Sequence, residues 1–263
     1  MRISVIGAGN MGGALAKGWV KASRDGEQLD ITVTAHTQRS LDRISAGFPE
    51  LCCTLDNKKA VAEADVVVLA VKPWMVKAVM DDIASGESLD GKIFVSVAAN
   101  VLPADLKAMM PGCKAHIFYV MPNIAAEYRQ SMTFISPADD VTEDKIDMVQ
   151  RLFSLVGMAQ ICEVKTLSAG NMLAGCGIAY VMRFLHAMMQ GGVELGLYPA
   201  DAQQIAQQTM MGAVTVLRES GLHPEAAIDK VTTPGGLTIR GLNELDHAGF
   251  TSAVIRCLKA GMK

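Results

Sequence analysis

Residues 2–12 read Arg2-Ile3-Ser4-Val5-Ile6-Gly7-Ala8-Gly9-Asn10-Met11-Gly12, and the apolar stretch Met11–Lys21 follows at once. A short β-prone run enters G-x-G-x-x-G, and the last glycine opens a helix. In that context the first glycine permits a tight turn and the second lets backbone approach a pyrophosphate. The third lets helix and strand pack closely, while the helix N-terminus offers free N–H groups and a positive dipole. Gly7, Gly9, Asn10, Met11 and Gly12 are therefore the first candidate cofactor contacts, and a dinucleotide is the expected ligand.

The chain downstream repeats the same alternation. Strand-like runs are expected at Arg2–Ile6, Ile31–Ala35, Val66–Val71, Ile93–Val97, His116–Val120 and Met132–Ile135, with a weaker one at Ala159–Glu163. Helical stretches fall between many of them, at Met11–Lys21, Met75–Ile83, Pro103–Met109 and Glu143–Leu155. This alternation implies right-handed crossovers and a mostly parallel sheet. Val66–Leu69, apolar on both faces, suits a strand buried between two helix layers. After about residue 164 the strand signals vanish. Ser168–Leu195 reads as one long helix, and a second is expected from Pro199 to Ser220, stopped by Gly221. Two shorter helices follow the loop Val231–Gly236. The expected fold is α/β: a Rossmann dinucleotide-binding domain over 1–163, then an all-α dimerisation and substrate domain over 164–263.

Composition narrows the class. The 263 residues carry 24 Lys plus Arg against 27 Asp plus Glu, a formal charge of −3 with no basic block, which excludes a cationic nucleic-acid binder. Half of the residues are hydrophobic and only 19% are charged, so a large core, and an oligomer interface besides, can be buried. The longest strongly apolar run, Val66–Val71, is far short of the roughly 20 residues of a membrane span. The opening residues read as a strand entering a turn rather than as a leader peptide. The six cysteines form no C-x-x-C pair and no metal-ligand spacing, so no metal and a reducing, cytoplasmic setting are expected.

Cofactor choice is written at the end of the second strand. NAD sites hold the ribose 2′-hydroxyl there with Asp or Glu, about 20 residues after the glycines. Here no carboxylate lies between Asp30 and Asp42; His36, Thr37, Arg39 and Ser40 stand there instead and can surround a 2′-phosphate. NADP(H) is favoured, with NAD(H) possible.

Late in the chain, Val231-Thr232-Thr233-Pro234-Gly235-Gly236-Leu237-Thr238 interrupts the helical region. Turned N–H groups and threonine hydroxyls at a helix start can hold a carboxylate, although the same residues also make a plain helix cap. Together with Gly7–Gly12, Val71-Lys72-Pro73, Val97-Ala98-Ala99 and Met121-Pro122-Asn123, this loop makes the chain resemble the pyrroline-5-carboxylate reductase family over nearly its whole length. The resemblance implies an interleaved homodimer or higher homo-oligomer that reduces 1-pyrroline-5-carboxylate to proline with NAD(P)H. It also implies that Val71, Lys72 and Pro73 sit beside the dinucleotide, and that Ala98, Pro122 and Asn123 lie near the nicotinamide, Asn123 also near substrate. Thr238 then becomes the candidate hydrogen-bond partner of the ring nitrogen. Thr233, with the N–H groups of Gly236, Leu237 and Thr238, would hold the substrate carboxylate.

The departures are specific. Tyr119 stands where the family carries Arg, and Ile124-Ala125 replace Thr-Pro. Ala174-Gly175-Cys176-Gly177-Ile178-Ala179-Tyr180 loses two hydroxyls and a proline, and His186 and Gln190 replace acids. Two other classes stay open at this point. One is a reductase of another cyclic imine or a β-hydroxyacid dehydrogenase, for which Lys165 and Asn171 are the nearest catalytic pair. The other is a non-catalytic NADP-binding regulatory dimer. Gly170, Gly175, Gly177, Gly191 and Gly192 weaken an isolated helix by about 1 kcal/mol each, a cost that close helix–helix contact in an obligate dimer offsets.

Overall fold

The computed structural model describes residues 1–86 and 88–262. They form two compact units, Met1–Gly175 and Cys176–Lys263. The first holds one eight-stranded sheet: β1 (Arg2–Ile6), β2 (Asp30–Thr34), β3 (Cys52–Thr54), β4 (Val66–Leu69), β5 (Ile93–Ser96), β6 (His116–Met121), β7 (Ser131–Pro137) and β8 (Gly157–Ile161). The strand order is β3-β2-β1-β4-β5-β6-β7-β8. All pairings are parallel except β6 with β7. The chain runs outward from β1 to β3, then restarts on the other side at β4. That reversal opens a crevice at the C-terminal ends of β1 and β4, where ligands of such sheets bind.

Helices cover both faces of the sheet. They are α1 (Asn10–Arg24), α2 (Gln38–Ser45), α3 (Asn57–Ala62), α4 (Val76–Ala84), α5 (Pro103–Met109), α6 (Glu143–Ser154) and α7 (Val164–Asn171). The strict alternation of β4 divides the core. Val66 and Val68 join Leu15, Trp19, Phe118 and Phe153 on one face, whereas Val67 and Leu69 join Met80, Phe94 and Leu106 on the other. Trp19 is fully buried, meets Phe153 edge to face at 5.5 Å, and donates its indole N–H to the Leu152 carbonyl at 2.9 Å. Burial of each such side chain stabilises the unit by about 1.5–3 kcal/mol relative to exposure.

Several local elements differ from the sequence expectation. The strand β3 and the helix α3 were not expected: each is short, and β3 pairs only with β2, so neither presents a full period of its pattern. The long helix begins at Val164, not Ser168, and is interrupted by a wide π-turn at Met172–Cys176. Helix α7, just after the expected 163/164 division, belongs to the first compact unit. Leu167 is buried, and a β-carbon on Gly170 would lie 2.7 Å from the Phe134 ring of β7, so α7 is packed on the sheet.

The second unit contains α8 (Gly177–Glu194), α9 (Pro199–Ser220), α10 (Pro224–Asp229), α11 (Leu237–His247) and α12 (Phe250–Ala260). The start and end of α9 match the expectation from Pro199 and Gly221, which takes φ +64°. Helix α10 lies outside the expected set. Within these helices only Gly177, Ala202 and Ala206 are buried. Val181, Met182, Ile205, Met211, Val214 and Ile255 are all exposed. Among the described residues no cluster of buried hydrophobic side chains lies in this unit, although Phe184 and Phe250 meet at 5.6 Å.

Candidate functional site

The glycine turn has the geometry that its spacing implies. Gly7 takes φ +111°, and a β-carbon there would meet the Ala70 carbonyl oxygen at 2.9 Å. A β-carbon on Gly12 would fall 2.1 Å from the Gly7 carbonyl oxygen, 2.9 Å from Ala70 and 3.0 Å from Val5, so the third glycine is what seats α1 on β1 and β4. At Gly9, by contrast, a β-carbon would meet nothing within 4 Å. Gly9 is the N-cap of α1, no side chain caps that end, and its first turn holds no acidic residue. The turn is thus closed toward the protein at Gly7 and Gly12 and open toward solvent at Gly9, with uncapped N–H groups facing the opening. This arrangement suits a pyrophosphate.

Two clefts flank the turn. One, of about 360 Å³, is lined by Ala8, Gly9, Asn10 and Gly13 together with Arg43 and Ile124. The other, of about 150 Å³, brings Gly7, His36 and Val71 together with Leu55, Asn57 and Met75. Sequence reasoning selected Gly7, Gly9, Asn10, His36 and Val71 but missed Leu55, Asn57, Met75 and Arg43. Asn57 and Leu55 carry no motif; the return of the chain from β3 into α3 puts them there. Thr37 and Arg39 are exposed beside the clefts without lining either. The Thr37 hydroxyl caps α2 by accepting the Ser40 N–H at 3.3 Å and lies 3.0 Å from the Ser40 hydroxyl. Met11 is packed against the core under the turn. Lys72 is exposed at the end of β4, and Pro73 opens a three-residue helical turn.

At the ends of β5 and β6, Ala98 and Pro122 are buried. Asn100, with φ +61°, donates its N–H to the Tyr119 hydroxyl at 3.1 Å. Tyr119 therefore supports the turn after β5. The Ser96 hydroxyl, buried beneath, has no partner among the described residues. Asn123, expected near cofactor and substrate, is 7% exposed at the end of β6, and its amide is engaged within the protein. Its Oδ1 accepts the Ala125 N–H at 3.0 Å, and its Nδ2 donates to the Ala174 carbonyl at 3.2 Å. Its backbone N–H donates to the Ser131 hydroxyl at 3.1 Å.

In the second unit, Gly235 takes φ +69° and the Gly236 N–H donates to the Thr233 carbonyl at 2.9 Å. The Gly236 N–H is thus engaged in the turn, whereas Leu237 and Thr238, the other two expected donors, lie in the first turn of α11. Gly236, not Thr238, caps α11, so Thr238 lies in its first turn with no competing cap bond. A β-carbon on Gly236 would lie 2.5 Å from the Thr233 hydroxyl, which keeps Thr233 folded over the helix start. Leu237 is 85% exposed. On α8, partial burial raises the Tyr180 phenol above its usual pKa, and a hydrogen bond with Cys257 adds to the shift. No group of three or more His, Cys, Asp or Glu able to hold a metal occurs among the described residues.

The doubly wound sheet and its open glycine turn define a Rossmann-type dinucleotide-binding protein with a helical C-terminal unit. Residues 2–100 match the family model described as NADP oxidoreductase, coenzyme F420-dependent, and residues 165–263 match pyrroline-5-carboxylate reductase dimerisation. The chain is 33% identical over 266 residues to the pyrroline-5-carboxylate reductase of Methanosarcina acetivorans, covering 97% of this chain and 94% of that protein. Pyrroline-5-carboxylate reductase 1 of Dictyostelium discoideum is 33% identical over 97% of this chain, which spans about half (47%) of that longer protein. Among solved structures, Plasmodium falciparum pyrroline carboxylate reductase with NADP bound shares the fold at TM-score 0.88 and 23% identity, covering 100% of this chain and 95% of that one. The chain belongs to the pyrroline-5-carboxylate reductase family.

Proposed function

We propose that the protein reduces 1-pyrroline-5-carboxylate to L-proline, with NADP(H) favoured over NAD(H), as a homodimer or larger homo-oligomer of a reducing, cytoplasmic setting. The observation that carries this reading is the pairing, in one chain of this family, of a glycine turn open at Gly9 with a Thr233–Thr238 loop whose helix start is uncapped. When bound, the nicotinamide supplies a hydride to the C=N carbon. The chain supplies position and charge management. The α1 N-terminus holds the pyrophosphate, with Val71, Lys72 and Pro73 alongside and Ala98 and Pro122 beneath the nicotinamide. Arg39, His36 and Thr37 face the 2′-phosphate, where no carboxylate opposes it. The Thr238 hydroxyl bonds to the ring nitrogen, which accepts hydride readily only when protonated or hydrogen-bonded. Its high pKa makes it an orienting and relaying group rather than a strong acid. The substrate carboxylate lies against the Thr233 hydroxyl and the Leu237 and Thr238 N–H groups, where the dipole of α11 favours an anion.

The second copy follows from the exposed apolar faces of α8 and α9. The helical stretch 164–194 is long and apolar enough, by length and composition, to cross a membrane. Its place in the segment matched by the dimerisation model supports another copy as its cover. His186, in place of an acid on α8, favours a second reading in which the preferred imine is a different cyclic imino acid. Steady-state NADPH oxidation with 1-pyrroline-5-carboxylate beside piperideine carboxylates, repeated with NADH, tests both. Turnover of the five-membered imine with NADPH is expected, and its absence would overturn the proposal.

A further inference from the structure

The least explained local feature is the π-turn at Met172–Cys176, which interrupts an otherwise continuous helix and lies, but for Cys176, in the first unit. Wide turns of this kind are rare and cluster at functional sites. Two side chains lie against it. Asn171 folds over it so closely that a β-carbon on Gly175 would lie 2.0 Å from its Oδ1. From the sheet side, Asn123 reaches across 51 residues of sequence to give its Nδ2 hydrogen to the Ala174 carbonyl. Asn123 is itself held at three points: by its own N–H on Ser131, by its Oδ1 on the Ala125 N–H, and by this bond to Ala174. Ser131 is in turn 2.9 Å from the buried Thr133 hydroxyl. A buried network thus runs from β7 through the end of β6 to the π-turn, and a side chain tied into it has little freedom to turn toward a ligand.

The geometry points to Asn123 as a positioning residue: it pins the π-turn against the Pro122–Asn123 end of β6, and through that turn sets the substrate side of the hydride-transfer site. The inference rests on the functional reading above in one respect, that the nicotinamide lies at Ala98 and Pro122. Because Ala174 is bonded to Asn123, the π-turn is then next to the reacting centre. Loss of the bond disturbs the imine and leaves the dinucleotide in place, the reverse of what a cofactor ligand would do.

Two substitutions separate the bond to Ala174 from the cap on Ala125. Asn123→Ser retains an N-cap oxygen but cannot span to Ala174. Asn123→Asp retains the cap and turns a carboxylate oxygen toward the Ala174 carbonyl. In the full-length protein, hydrogen exchange over residues 172–178 is expected to quicken by about fivefold or more in both, the equivalent of one net hydrogen bond. The NADPH dissociation constant should stay within about twofold, while kcat/KM for 1-pyrroline-5-carboxylate falls by about the same factor as the exchange changes. If NADPH binding instead weakens about tenfold while exchange at 172–178 is unchanged, Asn123 is a cofactor ligand and the inference is overturned. Unchanged exchange with unchanged kinetics also overturns it. Should the wild type bind NADPH yet reduce no pyrroline carboxylate, the functional reading fails, and the exchange and NADPH-binding measurements still decide the role of Asn123.

Discussion

Alanine at Gly9 and at Gly12 should have opposite consequences, although the two glycines lie three residues apart in one motif. At Gly12 the added β-carbon would lie 2.1 Å from the Gly7 carbonyl oxygen and 3.0 Å or less from Ala70 and Val5. Backbone is the nearest obstacle, so α1 must lift from the sheet. Overpacking of this kind costs about 1–3 kcal/mol, offset in part by the better helix propensity of alanine, worth just under 1 kcal/mol. The 2.1 Å approach to backbone puts this site at the upper end of that range, and for a chain of this size a net loss of about 2 kcal/mol lowers Tm by roughly 4–8 °C. At Gly9 nothing lies within 4 Å and φ is −76°, ordinary for alanine, so only a fraction of a kcal/mol of cap preference is lost. The methyl instead enters the space where a pyrophosphate meets the N–H groups. Loss of one charge-assisted hydrogen bond, about 1.5–3 kcal/mol, weakens NADPH by roughly 10- to 150-fold. Scanning calorimetry and fluorescence titration of NADPH on the two variants make the comparison. A Gly9→Ala protein that binds NADPH like the wild type would refute the assignment of the open turn, as would a Gly12→Ala protein of unchanged Tm.

The remaining expectations are simpler. Arg39→Gln should raise the KM for NADPH by about tenfold and leave that for NADH unchanged, because only the 2′-phosphate gains from the guanidinium. Thr238→Ala should lower kcat by up to roughly 10²-fold with NADPH binding intact, and Thr233→Ala should chiefly raise the imine KM. Met211→Glu, on the exposed face of α9, should reduce the native mass measured by light scattering; an unchanged oligomer would place the interface elsewhere. Burial acts to raise the Asp65 carboxyl, but the N–H and guanidinium of Arg2 outweigh it and hold it below the usual range. A depressed folded pKa stabilises above the unfolded value and loses that contribution as pH falls through the folded one. Asp65→Asn should therefore lower the urea midpoint slightly at pH 7, and the gap to wild type should close below about pH 4.

The parts of this molecule legible in its sequence are those in which one local pattern determines the outcome. The glycine turn announced β1 and α1, the doubly apolar Val66–Leu69 announced a central strand, and Pro199 with Gly221 bounded α9 to the residue. The parts that were not legible depend on partners distant in the chain. No local signal shows that Leu55 and Asn57 line a cleft with Val71, since the crossover out of β3 brings them there. Nor could spacing reveal that the Asn123 amide is bonded to Ala174, 51 residues away. The engagement of the Gly236 N–H was hidden for a smaller reason of the same kind: the β-turn through Pro234-Gly235 directs it to the Thr233 carbonyl.

The composition also carries a consequence for how the two units depend on each other's copies. A surplus of apolar residues was visible from the outset, but the sequence does not say where it lies. In the first unit the surplus is internal: both sheet faces are lined with fully buried Val, Leu and Phe, and that unit has the means to fold alone. In the second unit the apolar side chains of α8, α9 and α12 point outward, and the buried positions in its helices are glycine and alanine. Small residues bury too little area to offset the ordering of these five helices, at about 1–2 kcal/mol of backbone entropy per residue. The second unit is therefore expected to need an apolar cover, and the proposed second copy, bringing the same exposed Met, Val and Ile side chains, would supply one of matching chemistry. If the proposed dimer forms, folding of the C-terminal helices and dimerisation are expected to be one event. Dilution should then melt the C-terminal helices before the Rossmann unit, a two-step loss of helix signal that depends on protein concentration only in its first step.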